Sequence, residues 1–327
     1  MKFIQQAYKG NNKWTAYLVT LMLLIFGWQI MGYVPLSLVA FIYAGDIETF
    51  MQSASTNFVD LGIDANLFLL LIIASFLFGL LSLFLGIKFI HKRKIKTIIT
   101  SREKVDWGRV FYAFSVWGIV GLFMVAIGYF MAPEDYIWNF KAIPFFILLL
   151  ISVLFLPIQT SMEELLFRGY LMQGFGTWFK NSFVALMLTS AIFGLLHGLN
   201  PEVEKLGWFI MVYYIGTGLL LGIFTLMDEG TELALGFHAA NNVVAAVLVT
   251  TNWTVFQTDA LLVDISEPSI DYEMFVPVFI LYPLILLLFS KKYGWTNWKE
   301  KLFGQVFKPI EFKEEEFIAP YPPKGEL

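Results

Sequence analysis

The chain has 327 residues, of which 58% are hydrophobic and 15% charged, and its mean hydropathy is +0.69. This balance is far from that of an ordinary soluble domain and predicts a polytopic membrane protein. The absence of cysteine excludes disulfides, thiolate nucleophiles and cysteine metal sites. The net charge of −4 provides no basic field, so we expect no nucleic-acid partner.

Runs of about 20 mainly apolar residues, the length that crosses a bilayer, recur along the chain. They predict an all-α fold with about eight transmembrane helices, near residues 14–36, 66–90, 110–132, 143–171, 182–200, 207–227, 232–251 and 273–290. The first run follows several lysines and lacks a cleavage site of the A-x-A kind. We therefore interpret it as a membrane helix and not as a signal peptide.

Basic residues predict the orientation of the spans. They cluster before the first span, in the loop at 88–109 and after the last span, whereas the alternate loops are acidic. Both termini are therefore predicted to be cytoplasmic. We interpret the basic loop mainly as fixing this orientation, with contact to anionic membrane lipids as the alternative. We divide the chain into one membrane domain, residues 1–303, and a cytoplasmic tail, residues 304–327, whose acidic and proline-bearing composition predicts disorder.

Ionisable side chains inside the predicted spans are few, and each costs about 2.5 to 3.5 kcal/mol on insertion scales. In SMEELLFRGY, residues 161–170, Glu164 and Arg168 are i,i+4 neighbours that can form an ion pair. Glu163 is turned about 100° from Glu164. No partner for it is evident within its own helix, which leaves it available for chemistry. The alternative is a purely structural pair of glutamate and arginine.

Two of the three histidines, His197 and His238, fall within apolar spans. His238 and Asn242 share one helix face at i,i+4, whereas Asn241 is turned away from that face. Either residue alone would be interpreted as an interhelical hydrogen bond that aids packing. Counting about 1.5 Å per residue from the cytoplasmic ends, these groups reach the depth of Glu163 only if the fourth helix continues to about residue 171.

The strings EELLFR at 163–168, FGLLH at 193–197 and HAANN at 238–242 follow the patterns EExxxR, FxxxH and HxxxN in order. With them, residues 140–252 resemble the catalytic core of the CPBP family (CAAX proteases and bacteriocin-processing enzymes, also called the abortive-infection family), which includes the type II CAAX prenyl proteases. The resemblance implies an intramembrane endopeptidase that acts on a protein or peptide substrate. It also implies a place in a bacterial cytoplasmic membrane.

By this resemblance, Glu163 and His197 activate water, His238 and Asn242 stabilise the oxyanion, and the pair Glu164 and Arg168 supports them. The chemistry of the residues agrees, since a carboxylate held away from water is a suitable general base. Amide and imidazole N–H groups are suitable donors to an oxyanion.

The family is commonly labelled a metalloprotease, and Glu163, His197 and His238 are the candidate ligands for zinc. The sequence has no HExxH motif, and the amide oxygen of Asn242 is an unusual zinc donor. We therefore favour a glutamate-activated water without metal over a zinc site.

Two other functions fit the same residues. Glutamate and histidine within spans also build proton relays, so a proton-coupled transporter is one alternative. A non-catalytic immunity or scaffold protein that keeps the motif residues for packing is the other. The polar residues concentrate in the fourth, fifth and seventh spans, which favours a single site over a transport pathway.

Overall fold

The computed structural model describes residues 2–254, 257–270 and 272–309, and this part of the chain is almost entirely helical. Its α-helices are α1 Trp14–Ile25, α2 Val34–Ala44, α3 Ile47–Ser53, α4 Ala65–Leu85, α5 Trp107–Met131, α6 Ala142–Glu164, α7 Met172–Trp178, α8 Ser182–Leu196, α9 Pro201–Leu206, α10 Met211–Asp228, α11 Glu232–Leu248, α12 Tyr282–Tyr293 and α13 Trp298–Phe303. The strands are β1 Tyr136–Trp138, β2 Val249–Thr250 and β3 Leu262–Asp264.

Six helical segments of the described chain are long and apolar enough to cross a membrane, which confirms an all-α polytopic membrane protein. They are Trp14–Ala44, Ala65–Ile90, Trp107–Met131, Ala142–Trp178, Ser182–Leu199 and Pro201–Asp228. The seventh and eighth predicted spans correspond to shorter helices, α11 and the segment 277–293 that ends in α12. At 1.5 Å per residue each is about 25 Å long, somewhat less than the hydrocarbon core.

The fourth span forms one continuous rod. α6 runs through a π-helical segment, Leu165–Leu171, directly into α7. Pro157 lies within α6 and does not end it. The condition that the fourth helix continue to about residue 171 is therefore met, and the rod extends seven residues farther.

The predicted cytoplasmic ends of the helices are tied together by ion pairs. Arg102, from the loop before α5, contacts Asp228 at 2.8 Å and Glu232 at 3.1 Å, and Arg109 contacts Asp228 at 2.7 Å. Both carboxylates are buried, so the arginines offset charge that would otherwise be costly there. The turn between α10 and α11 is thereby fixed to the loop that precedes α5.

The start of the predicted tail packs on the membrane domain. Gln305 forms a β-bridge with Asn181, and the side chain of Val306 is buried. The rest of the tail that is predicted to be disordered at 304–327, residues 310–327, lies outside the described residues.

At the opposite ends of the helices, a small sheet joins two loops. Its strand order is β1-β3-β2, with β1 antiparallel to β3, so that Tyr136 faces Asp264, and with β2 parallel to β3. The sheet connects the loop after α5 with the chain that follows α11. The predicted outer loop between the last two spans is thus held against the bundle.

α11 occupies the centre of the bundle, where it packs against α5, α6 and α10. Most of its residues are buried. Gly236 permits the close approach of α5, because a Cβ at this position would collide with the carbonyl oxygen of Val110. This position directs His238 and Asn242 toward neighbouring helices rather than toward lipid.

Candidate active site

Glu163 lies near the end of α6, and its side chain is 12% exposed. Its Oε1 accepts a hydrogen bond of 2.6 Å from Gln159 Nε2. Its Oε2 is buried, has no hydrogen-bond partner among the described residues and faces His238 Nε2 at 3.6 Å. The expectation that Glu163 has no partner within its own helix is therefore wrong, because Gln159 lies four residues earlier on the same face.

Glu164 and Arg168 form the predicted ion pair, and both side chains are fully buried. Arg168 donates from one guanidinium nitrogen to Glu164 Oε1 at 2.9 Å and from another to the carbonyl oxygen of Gly218 on α10 at 3.3 Å. The guanidinium also lies 4.2 Å from the centroid of the Phe193 ring. The pair thus joins α6 to α8 and α10 in the core of the bundle.

His238 enters from α11 between the two glutamates. Its Nδ1 lies 2.7 Å from Glu164 Oε1, and since a carboxylate only accepts, Nδ1 carries the hydrogen. Its Nε2 is directed at Glu163 Oε2. The structure therefore brings Glu163, Glu164, Arg168 and His238 into one buried cluster.

Asn242 lies one turn after His238 on α11, as predicted, and joins the same cluster. Its Nδ2 donates to Gln159 Oε1 at 2.9 Å, and its Oδ1 accepts from Asn241 Nδ2 at 3.3 Å. Asn241 turns toward α5, where its Oδ1 accepts from Trp117 Nε1 at 3.1 Å. Asn241 therefore points away from the shared face, as expected, but still contacts Asn242.

His197 lies in the 3-10 turn that follows α8. Its Nδ1 is 2.8 Å from the carbonyl oxygen of Phe193, so this nitrogen donates, and its ring stacks on Tyr214 at 4.5 Å between centroids. The Phe193 ring lies 4.6 Å from the His197 ring and 6.0 Å from the His238 ring. Both imidazoles therefore flank one aromatic ring.

Among the described residues, no ion-pair contact within 4.0 Å joins His197 to Glu163. The shared activation of water by these two residues stays a prediction. Counted along its own helix, each residue lies at a similar distance from the predicted cytoplasmic end. Glu163 lies about 22 Å from the end of that rod at Trp178, and His197 lies about 22 Å from the start of α8.

A zinc site at Glu163, His197 and His238 would require three donors that converge on one point. In the part of the chain that the structure describes, no group of three or more histidine, aspartate or glutamate side chains is placed to hold a metal ion. Nδ1 of each histidine is engaged in a hydrogen bond, which leaves Nε2 as the one ring nitrogen available for another contact. This arrangement does not fit zinc, and no step proposed below depends on a metal.

Three further residues belong to this region and were not predicted from the sequence, namely Gln159, Trp117 and Tyr214. Gln159 could have been found, because an amide four residues before Glu163 in an apolar span has the spacing of a helical neighbour. Trp117 and Tyr214 come from α5 and α10, and no local pattern marks them as neighbours of the motif residues.

Comparison with known proteins adds independent information. Residues 142–244 match the family model described as type II CAAX prenyl endopeptidase Rce1-like. The chain is also 30% identical over 220 residues to the uncharacterized protein YyaK of Bacillus subtilis (strain 168), an alignment that covers 66% of this chain and 74% of that protein. No solved structure matches. The matched segment 142–244 contains all six predicted site residues.

Proposed function

This chain belongs to the Rce1-like family of CAAX-type intramembrane proteases, and from that premise we propose that it hydrolyses a peptide bond with water activated by Glu163. One observation carries the proposal. In a buried cluster, the unpartnered Oε2 of Glu163 faces Nε2 of His238 at 3.6 Å. A single water can lie within about 2.8 Å of both atoms, which is hydrogen-bond distance.

The formal charges of the cluster support a protonated His238. Glu163, Glu164 and Arg168 together carry one net negative charge in a site that is almost closed to solvent. A buried charge needs a compensating one. An imidazolium at His238 supplies it, donating from Nδ1 to Glu164 and leaving Nε2–H next to the proposed water site, where it is available to the carbonyl oxygen of the substrate.

The reaction then proceeds in two steps. Glu163 Oε2 takes a proton from the water while the oxygen of that water attacks the carbonyl carbon of the scissile bond. The negative charge that develops on the carbonyl oxygen accepts hydrogen bonds from His238 Nε2–H and from the second Nδ2 hydrogen of Asn242. Glu163 returns the proton to the amide nitrogen as the C–N bond breaks, which yields a carboxylic acid and an amine.

His197 takes its role from the family resemblance. Its Nδ1 is committed to the Phe193 carbonyl, so only Nε2 remains for the water or the substrate. Stacking on Tyr214 restrains the ring. We therefore propose that His197 orients the water from the side opposite His238.

The depth of the site suggests the class of substrate. Glu163 and His197 lie about 22 Å along their helices from the predicted cytoplasmic ends, and His238 lies about 9 Å along α11 from its start. A scissile bond reaches them most readily in an extended segment next to a membrane anchor. We propose a membrane-associated or lipid-linked protein or peptide as the substrate.

The test uses the full chain purified in detergent. It is incubated with a synthetic random-sequence peptide mixture and, separately, with an S-farnesylated peptide that ends in a CAAX sequence, and products are identified by mass spectrometry. Glu163→Gln is expected to lower cleavage by about 100- to 10,000-fold, because it removes the general base. Glu134→Gln, an exposed glutamate near the sheet, is the matched control and should cleave at the wild-type rate.

Undiminished cleavage by Glu163→Gln would contradict the proposal. If neither substrate is cleaved, a liposome assay for proton-coupled flux that is lost in His197→Ala would favour the transporter. Absence of both activities in the folded protein would favour the non-catalytic scaffold.

A further inference from the structure

We infer that a one-way hydrogen-bond chain from Trp117 to Glu163 positions the reacting groups, and that Trp117, Asn241 and Gln159 are positioning residues for the hydrolysis. The inference rests on the proposed function, since it assigns these residues to the same site. It also extends the site beyond the segment matched by the family model, because Trp117 belongs to α5.

The chain of hydrogen bonds is continuous across three helices. Trp117 Nε1 donates to Asn241 Oδ1 at 3.1 Å, and Asn241 Nδ2 donates to Asn242 Oδ1 at 3.3 Å. Asn242 Nδ2 donates to Gln159 Oε1 at 2.9 Å, and Gln159 Nε2 donates to Glu163 Oε1 at 2.6 Å. Each amide therefore accepts from one side and donates to the other.

The two ends fix the direction of the chain. An indole nitrogen can only donate, and an ionised carboxylate can only accept. Reversal of any amide between them would set oxygen against oxygen at one contact and N–H against N–H at the next. In a buried site such an unsatisfied pair is costly, so all three amides keep one orientation.

This direction has two consequences for the proposed reaction. It turns the NH₂ group of Asn242 toward α6 and leaves one of its hydrogens for the oxyanion; the reverse orientation would present a carbonyl dipole that repels it. It also occupies Oε1 of Glu163. Oε2, the oxygen that faces His238, is then the one left to take the proton from water.

Two contacts support the first hydrogen bond of this series, one at Trp117 and one at Asn241. The Trp117 side chain is buried and stacks on Phe237 of α11, with centroids 4.3 Å apart and planes at 25°. The hydroxyl of Tyr213 lies 3.5 Å from the same oxygen of Asn241 and adds a second, longer donor. Both contacts supply or direct donors toward Asn241, in agreement with the direction of the chain.

The kinetic test compares Gln159→Met, Trp117→Phe and the double variant on the best-cleaved peptide of the assay above. Gln159→Met keeps the size of the side chain and removes both hydrogen bonds, so we expect kcat to fall about 10- to 100-fold with KM within about twofold. Trp117→Phe should lower kcat about 3- to 10-fold. The double variant should be no slower than Gln159→Met, because the chain is already interrupted.

The matched control is Trp28→Phe. The indole nitrogen of Trp28 is also buried, but it has no hydrogen-bond partner among the described residues. Its replacement should leave kcat unchanged. Thermal unfolding of every variant in detergent separates loss of positioning from loss of fold, since a structural effect would lower the midpoint in proportion to the loss of rate.

The outcomes are distinguishable from those of the proposed function. Suppose that wild type cleaves and Glu163→Gln does not, while Gln159→Met and Trp117→Phe behave like Trp28→Phe. The hydrogen-bond chain then has no role in the reaction, and the proposed proteolytic function is unaffected. If the losses of kcat in the two single variants multiply in the double variant, the proposed role of the hydrogen-bond chain is likewise contradicted.

A second measurement does not require activity. The indole N–H resonance of Trp117, identified by its loss in Trp117→Phe, should shift upfield in Asn241→Leu, which removes the acceptor. An unmoved resonance would show that this hydrogen bond, and with it the chain, is not formed.

Discussion

Arg168 illustrates how a single buried charge is kept in this molecule. Its guanidinium is completely enclosed, and it is matched by the carboxylate of Glu164, the carbonyl of Gly218 and the face of the Phe193 ring. A buried pair of this kind adds little stability relative to apolar residues, but removing one partner leaves the other charge unpaired. The ion pair holds Glu164 where its carboxylate can accept a hydrogen bond from His238 Nδ1.

Arg168→Met is therefore expected to lower the free energy of unfolding by about 3–5 kcal/mol, because Glu164 would be left buried and unpaired. Thermal or denaturant unfolding in detergent measures this change. Lys2→Met, which breaks the exposed pair with Glu300, is the matched control and should change stability little. Equal effects of the two substitutions would contradict the enclosed environment of Arg168.

His91 gives a pH dependence at the same scale. It lies outside the spans, and its burial lowers its pKa from 6.5 to about 4. Its Nδ1 donates to the carbonyl of Asn11 at 2.7 Å, and its Nε2 lies 2.8 Å from the hydroxyl of Tyr170. The neutral ring thus ties the N-terminal segment to the end of the fourth span.

Between pH 6.5 and about pH 4, the unfolded chain takes up a proton at His91 and the folded chain does not. The free energy of unfolding should therefore fall by up to about 3 kcal/mol as the pH is lowered through this window. Above the window, the contribution of neutral His91 to stability is complete. Thermal midpoints of wild type and His91→Gln over this pH range measure the contribution. Parallel curves for the two proteins would contradict the assignment.

At the scale of the element, α11 shows how a short helix comes to carry a site. It is surrounded by other helices, so its polar residues meet partners instead of lipid. It approaches α5 closely at Gly236. Trp117, the first donor of the hydrogen-bond chain, lies on that neighbouring helix, so the spacing of α5 and α11 affects the geometry around His238.

Gly236→Ala is expected to destabilise the protein by about 1–3 kcal/mol and to reduce cleavage, because the added Cβ would push α5 away from α11. Gly118→Ala on α5 is the matched control, since no described atom lies within 4 Å of the Cβ it would add. There the better helix propensity of alanine should raise stability by up to about 1 kcal/mol. Similar effects of both substitutions would indicate that the close approach is not required.

Much of this element-level description could be predicted, and the reason is physical. Hydropathy and helical spacing are local properties, so the spans, the pair of Glu164 and Arg168 and the shared face of His238 and Asn242 follow from the sequence. The partners of these residues depend on which helices become neighbours. Trp117 therefore could not be assigned to the site in advance, and the roles of spans without motif residues were left open.

At the scale of the whole molecule, the contacts that connect the helix ends differ between the two membrane faces of the bundle. Ion pairs around Asp228 join loops on the predicted cytoplasmic face, and a three-stranded sheet joins loops on the other. The distribution of basic residues predicts which face is which, but the fold of the helices is the same for either orientation. Topology therefore needs its own measurement.

The natural absence of cysteine makes this measurement direct. Lys94→Cys and Lys299→Cys place single thiols at exposed positions on the predicted cytoplasmic face, and Glu134→Cys places one on the other. In intact cells a membrane-impermeant maleimide should label only Glu134→Cys, whereas permeabilised cells should show labelling of all three. Labelling of Lys299→Cys in intact cells would reverse the orientation.

The π-helical segment Leu165–Leu171 begins at the residue after Glu164. Such a wide turn is equivalent to one extra residue inserted in an α-helix. If the same residues were wound as a regular α-helix, everything downstream would rotate by about 100° relative to Glu163. Gln173 would then swing away from its contacts with Phe3 and Thr97. The irregular turn thus reconciles two angular requirements that an uninterrupted α-helix would not meet together: one directs Glu163 toward His238, and the other directs Gln173 toward Phe3 and Thr97.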